Sequence, residues 1–187
     1  MKKQDNMKIL LVCDNRADVV NIRAKVDSHE NIACYVWQCP TLSEGIGYLN
    51  IKKLRADMII LDLGLSGEDT PEEIYRQMGV AAQDIPIIVI TGKGNEEHDL
   101  AAFVMESGAA DNMIRGEFGG LTDAMDFALI RSKITKEKES EADKALQDSK
   151  NDCDEKSQKD QQDHQDHLSM FMGGYSVTNN DAKDKKA

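Results

Sequence analysis

Recurring apolar runs in the first 133 residues restrict the possible folds more than any other feature of the sequence. Five of them predict strands: residues 8–13 (KILLVC), 33–39 (ACYVWQC), 57–63 (DMIILDL), 85–91 (IPIIVIT) and 111–114 (DNMI). Three are almost continuously apolar, which is typical of strands covered on both faces of a parallel sheet. Segments with helical start signals separate the strands. The alternation predicts an α/β fold: a doubly wound, five-stranded parallel sheet with right-handed crossovers and helices on both faces.

Local capping signals predict where the helices begin and end. Thr41 and Thr70 each stand three residues before a glutamate, which is the pattern of a capping box. Asn95 is expected to cap the following helix, which should stop at Gly108. The last helix of the domain should begin near Leu121.

The composition changes near residue 133 and predicts two parts. Residues 1–133 should form the folded domain, whereas residues 134–187 are mostly Lys, Glu, Asp, Gln and Ser and cannot bury enough apolar surface to offset chain entropy. We expect a charged helical extension that gives way to a disordered polar tail beyond about residue 149. One apolar island in the tail, residues 168–177 (LSMFMGGYSV), could dock in a groove or be a neutral remnant.

Charge and composition argue against several classes of protein. The formal net charge of −11 disfavours nucleic acid as a partner. No run reaches the roughly 18 apolar residues of a membrane span, and no signal peptide is evident, so a cytoplasmic location is expected. The four cysteines lack metal-ligand spacing and should be reduced. His164 and His167 could bind a metal in a helix, although a solvated polar run is the simpler interpretation.

Polar residues follow the predicted strands at the edge of the sheet where ligands bind in this architecture. The first strand leads into Cys13 and Asp14, the third delivers Asp62, the fourth ends at Thr91, and Arg115 follows the fifth. Two carboxylates with water and a phosphoryl group suit Mg²⁺. An aspartate can also attack phosphorus and form an aspartyl-phosphate, and a hydroxyl and a cation would stabilise the phosphoryl oxygens.

Four motifs, ILLVCDN, IILDLGLSG, PIIVITG and SGAADNMIRGEF, resemble the receiver domain of two-component response regulators over about residues 7–133. The resemblance implies a flavodoxin-like receiver fold with phosphorylation of Asp62. It implies Mg²⁺ bound by Asp14, Asp62 and the Gly64 carbonyl, and a switch hydroxyl on Thr91. A sensor histidine kinase or a phosphotransfer protein would be the phosphodonor.

Three positions depart from the pattern of that family. Cys13 stands where a second acid is usual, Arg115 replaces the usual lysine, and Asn112 occupies a position that is often aromatic. The loss of one acid should weaken metal binding by about one or two decades, at about 1.4 kcal/mol each. Arg115 keeps the positive charge but is bulkier, so it could hold the phosphoryl group differently or pair permanently with Asp62 or Asp14.

The chain is therefore expected to be a stand-alone receiver, not an enzyme, that signals through protein–protein contacts with an output protein; a homodimer stays open. A phosphorylation-independent, receiver-like interaction module is the main alternative. A flavodoxin-like cofactor binder is a weaker one, because CDNRAD makes a poor phosphate loop. TGKGN likewise lacks the spacing of a nucleotide-binding loop.

Overall fold

The computed structural model describes residues 6–30, 32–51, 55–67 and 70–172, without the side chains of 95–97, 146, 148–166, 169, 171 and 172. Strands and helices alternate along the chain. The strands are β1 (Met7–Val12), β2 (Cys34–Cys39), β3 (Met58–Asp62), β4 (Ile87–Thr91) and β5 (Asp111–Ile114). The helices are α1 (Arg16–Asp27), α2 (Leu42–Asn50), α3 (Pro71–Ala82), α4 (Asn95–Glu106) and α5 (Leu121–Met172).

The five strands form one sheet in the order β2-β1-β3-β4-β5, and every neighbouring pair is parallel. The chain moves outward from β1 in both directions, so the order reverses between β1 and β3. In open α/β sheets such a reversal opens a crevice at the carboxyl ends of the strands. The predicted fold class is confirmed, and each predicted strand lies within two residues of its observed ends.

Apolar side chains cover both faces of the sheet. Leu10 and Leu61 pack with residues of α2, α3 and α4, whereas Ile9, Leu11 and Ile60 pack with residues of α1 and α5. Successive residues of a strand point to opposite faces, so both sets must be apolar when helices cover both sides. This two-sided burial is the reason for the continuous apolar runs in the sequence.

Side-chain caps fix the starts of two helices as predicted. Thr41 and Thr70 each accept a hydrogen bond from the backbone N–H three residues on, at 3.2 and 3.4 Å. The prediction for Asn95 is wrong, because Gly94 is the N-cap and Asn95 is already the first residue of α4. Gly94 has φ 135°, which glycine adopts readily and which lets the helix begin one residue earlier. Gly108 follows the end of α4, as predicted.

The last helix, α5, begins at Leu121 as predicted but continues to Met172, past the expected onset of disorder near residue 149. Residues 121–172 contain no glycine or proline, and they are rich in Lys, Glu, Gln and Ala, which favour helix. Among its apolar residues Leu121 is buried, whereas Ile134 is exposed.

The chain divides into two compact units, residues 1–136 and 137–187. Most of the apolar island and the side chains of His164 and Cys153 lie outside the described residues. Cys13, Cys34 and Cys39 are free thiols, as expected. Among the described residues, none of the helices combines the length and hydrophobicity needed to cross a membrane.

A close approach of α2 to the sheet requires glycine at position 45. A Cβ there would lie 2.7 Å from Val12 Cγ2 and 3.2 Å from Met78 Cε. We therefore expect Gly45→Ala to lower the free energy of unfolding, measured in urea, by about 1–3 kcal/mol through overpacking.

Gly47→Ala is the matched control in the same helix, because nothing lies within 4 Å of an added Cβ. It should leave the stability unchanged or raise it by up to about 1 kcal/mol, since alanine is the better helix former. Equal unfolding midpoints for the two variants would contradict the packing described here.

Candidate functional site

The carboxyl ends of β3, β4 and β5 hold three of the predicted site residues side by side. Asp62 is the last residue of β3 and pairs with Ile90, while Thr91 ends β4 and pairs with Ile114. The pairing continues past the strands, since the Arg115 N–H donates to the Thr91 carbonyl at 2.8 Å. Backbone hydrogen bonds between adjacent strands therefore position Asp62, Thr91 and Arg115.

Asp62 is a fully buried carboxylate, with 0% of the residue exposed. Its Oδ1 accepts a hydrogen bond from the Gly64 N–H at 2.9 Å and forms a salt bridge with Nη2 of Arg115. Its Oδ2 accepts a hydrogen bond from the Cys13 thiol at 3.3 Å. Both oxygens therefore have donors, which offset the loss of water around a buried charge.

Cys13 acts in this site as a neutral hydrogen-bond donor. Burial and the adjacent charge of Asp62 raise the pKa of Cys13 to about 12, so the thiol is protonated at neutral pH. A thiol at this position can donate to Asp62, whereas a second ionised acid would repel it. Cys13 is thus a fully buried residue that also bonds to the candidate phosphoacceptor.

The guanidinium of Arg115 lies over Gly64. A Cβ on Gly64 would overlap Nη2 of Arg115 and lie 3.3 Å from Nη1, so the absence of a side chain makes room for the cation. Its Nε lies 3.7 Å from Oδ2 of Asp18. Burial acts to lower the pKa of Arg115, but the charges of Asp62 and Asp18 raise it above the ordinary value. The guanidinium therefore stays charged between two carboxylates.

Asp18 is a site residue that the pattern of strand ends did not reveal. It lies in the first turn of α1, where acids are common because they complement the helix dipole. The residue is only 5% exposed, and its Oδ2 has no hydrogen-bond partner among the described residues. Burial raises the pKa of Asp18, although the charge of Arg115 opposes this. The sequence offers one signal for Asp18, an acid four residues after Asp14, and this spacing is too common to identify a site residue.

Asp14 lies at the same edge of the sheet but in a more open position. Its Oδ2 accepts a hydrogen bond from the Ser66 N–H at 2.9 Å, in the loop that follows β3. This hydrogen bond is the main cause that lowers the pKa of Asp14, and the positive charge of Arg115 adds to it. The carboxylate is therefore ionised at neutral pH and attached to the same loop as Gly64.

Thr91 is buried, and its hydroxyl bonds across to the next strand. Its Oγ1 donates a hydrogen bond to Oδ1 of Asn112 at 3.1 Å. Asn112 is the residue at the position that is often aromatic in receiver domains. The amide thus binds the predicted switch hydroxyl directly, and this hydrogen bond is directed toward β5 and not toward Asp62.

The oxygen atoms at this edge suit Mg²⁺, which prefers carboxylate, carbonyl and water ligands. Within the described part of the chain, no group of three or more His, Cys, Asp and Glu side chains could hold a metal ion. The carboxylates of Asp14 and Asp62 would therefore need the Gly64 carbonyl and water beside them. The residues fit Mg²⁺ in their chemistry, provided that Arg115 moves off the Asp62 oxygen.

Solved structures with this fold include several receiver domains. A response regulator receiver domain protein from Clostridium thermocellum matches with a TM-score of 0.58 and 22% identity, over 69% of this chain and 98% of that chain. The signal receiver domain of a Luxo repressor protein from Vibrio parahaemolyticus matches with a TM-score of 0.56 and 21% identity, over 70% of this chain and 95% of that chain. The signal receiver domain of a modulated diguanylate cyclase from Desulfovibrio desulfuricans G20 matches with a TM-score of 0.56 and 20% identity, over 70% of this chain and 99% of that chain.

The sequence itself matches no protein-family profile and no curated protein. At identities of 20–22%, the structural likeness shows the fold. The chain has the flavodoxin-like receiver fold, as the four motifs predicted.

The neutral thiol at position 13 gives a test of the metal site. Cys13→Asp places a second carboxylate against Asp62, so we expect a lower midpoint of thermal unfolding without Mg²⁺. We also expect Mg²⁺ to bind one to two decades more tightly, at about 1.4 kcal/mol per decade, when measured by titration calorimetry.

Cys13→Asn is the control, because asparagine is similar in size to aspartate but neutral. It should gain no affinity for Mg²⁺. Equal Mg²⁺ affinities for Cys13→Asp and Cys13→Asn would show that the metal, if bound, lies away from this position.

Proposed function

We propose that this chain is a receiver module that accepts a phosphoryl group on Asp62 from the phosphohistidine of a sensor histidine kinase or a phosphotransfer protein. The observation that carries the proposal is the buried carboxylate at the end of β3, toward which a backbone N–H and a cation are directed. An oxygen of Asp62 would attack phosphorus while the P–N bond of the donor breaks. The electron pair stays on the imidazole, which takes up a proton.

The other groups at the site have roles that follow from their chemistry. Asp14, Asp62 and the carbonyl of Gly64 would hold Mg²⁺, which supplies positive charge to the phosphoryl oxygens. The guanidinium of Arg115 supplies a second positive charge beside the same carboxylate. The ionised Asp14 and the charged Arg115 are thus available for phosphoryl transfer at neutral pH.

The proposed switch is an exchange of hydrogen-bond partners by Thr91. Phosphorylation adds about two negative charges and three acceptor oxygens at Asp62. The Thr91 hydroxyl would then leave Asn112 and donate to the phosphoryl group. Because Thr91 ends β4 and Asn112 lies in β5, the exchange would alter the surface of α4 and β5, which carries the exposed Phe103 and Ile114. An output protein in the cytoplasm would bind this surface.

One observation favours a second function: the salt bridge between Arg115 and Asp62. A guanidinium that stays on Asp62 would block both the metal and the phosphodonor. The chain would then be a phosphorylation-independent interaction module that keeps the fold but not the switch.

Intact-mass spectrometry separates the two functions. Incubation with a small phosphodonor and Mg²⁺ should add one phosphoryl group to the wild-type chain. Asp62→Asn should abolish the gain, because it removes the nucleophilic carboxylate while keeping the size of the side chain.

Asp84→Asn is the matched control, since it removes an exposed carboxylate outside the site. This variant should be phosphorylated like the wild type. No mass gain in the wild type would support the phosphorylation-independent module, and a gain that survives Asp62→Asn would overturn the choice of Asp62.

A further inference from the structure

Asp18 and Arg115 form an ion pair that lacks its hydrogen bond. The distance from Asp18 Oδ2 to Arg115 Nε is 3.7 Å, longer than the 2.7–3.2 Å or so of an N–H···O hydrogen bond. Both atoms are buried, and neither has a hydrogen-bond partner among the described residues. A donor and an acceptor of opposite charge thus face each other in the interior with their hydrogen-bonding capacity unused.

Such an arrangement is unfavourable in this state, and a small movement of the guanidinium would relieve it. A buried charged oxygen without a donor loses the hydrogen bonds it would make with water. A shift of the guanidinium away from Asp62 by a fraction of its own width would let Nε donate to Asp18. The guanidinium lies over Gly64, which has no side chain to hold it in place, and the Arg115 side chain is 34% exposed, so it has room for that shift.

The charges at the site give a reason for the shift. In the structure as described, Arg115 neutralises Asp62. A divalent cation on Asp62 would repel the guanidinium, because like charges in a partly buried site interact strongly. Asp18, which is 5% exposed, is the acid placed to receive the displaced cation.

We propose that Asp18 is a positioning residue that takes the guanidinium of Arg115 when Asp62 binds Mg²⁺ or becomes phosphorylated. Arg115 thus has two positions, one on Asp62 and one on Asp18, and the second keeps the site from being blocked by its own cation. This inference rests on the proposed function and explains how an arginine can be accommodated there.

Titration calorimetry with Mg²⁺ tests the inference on the full chain. Asp18→Asn should weaken Mg²⁺ binding by about tenfold, the equivalent of about 1.4 kcal/mol, because Arg115 then loses the ion pair with Asp18 and keeps the one with Asp62. Arg115→Gln should bind Mg²⁺ more tightly than the wild type. In that background Asp18→Asn should have little further effect, which is the non-additivity expected of residues that act through each other.

Asp123→Asn is the matched control, because Asp123 is an exposed acid in the first turn of α5 and its replacement removes the same charge. This variant should bind Mg²⁺ like the wild type. Thermal unfolding of each variant confirms that the fold is retained.

Several outcomes would overturn the inference. A wild-type affinity for Mg²⁺ in Asp18→Asn would do so. An equal loss of Mg²⁺ affinity in the wild-type and Arg115→Gln backgrounds would also do so, because Asp18 would then act on the metal directly through its charge. If either result is found and the wild-type chain is still phosphorylated on Asp62, the inference fails but the proposed function stands. If Arg115→Gln binds Mg²⁺ and the wild type does not, the guanidinium never leaves Asp62. If none of the proteins binds Mg²⁺, the proposed function fails together with the inference.

Discussion

The pairing of Asp62 with Arg115 is the interaction on which the rest of the site depends. Asp62 is fully buried, and removing a carboxylate from water costs several kcal/mol unless it is paired and hydrogen-bonded. The sheet supplies the partner, because β3, β4 and β5 are in register and bring the two residues to the same edge. The hydrogen bonds from Gly64 and Cys13 satisfy the remaining acceptor capacity of the carboxylate. The remaining features of the site are best understood as adjustments to this buried charge pair.

The departures from the receiver pattern fit one another physically. With arginine in place of lysine, a broad planar cation lies on Asp62, and Gly64 leaves space for it. With a thiol at position 13, the carboxylate gains a neutral donor and that position adds no negative charge. With an amide at position 112, the hydroxyl of Thr91 has a polar partner in β5, a contact that depends on side-chain conformation and not on spacing. The result is a site in which both oxygens of the Asp62 carboxylate have a donor in the resting state.

The sequence predicted those features that depend on local pattern. The apolar runs predicted the strands because helices cover both faces of the sheet, and the strand ends predicted Asp62 and Arg115 as neighbours. The sequence did not predict Asp18 as a site residue, because its place beside Arg115 depends on how α1 packs against the sheet. The cap predicted at Asn95 is wrong because Gly94 accepts a backbone angle that the pattern does not encode. Helix α5 is longer than expected because low hydrophobic content, which predicted disorder, is compatible with high helix propensity.

The glycine at position 64 constrains which residues can occur together at positions 64 and 115. An added methyl group would occupy the place of the Arg115 guanidinium, so a larger residue at 64 would require the end of an arginine side chain at 115 to move from its position here. The two positions should therefore vary together across natural variants of this chain: glycine at 64 with arginine at 115, or a bulkier residue at 64 with a slimmer cation at 115. A lineage that acquired arginine at 115 before glycine at 64 would have passed through an ancestor whose cation was displaced from its place on Asp62.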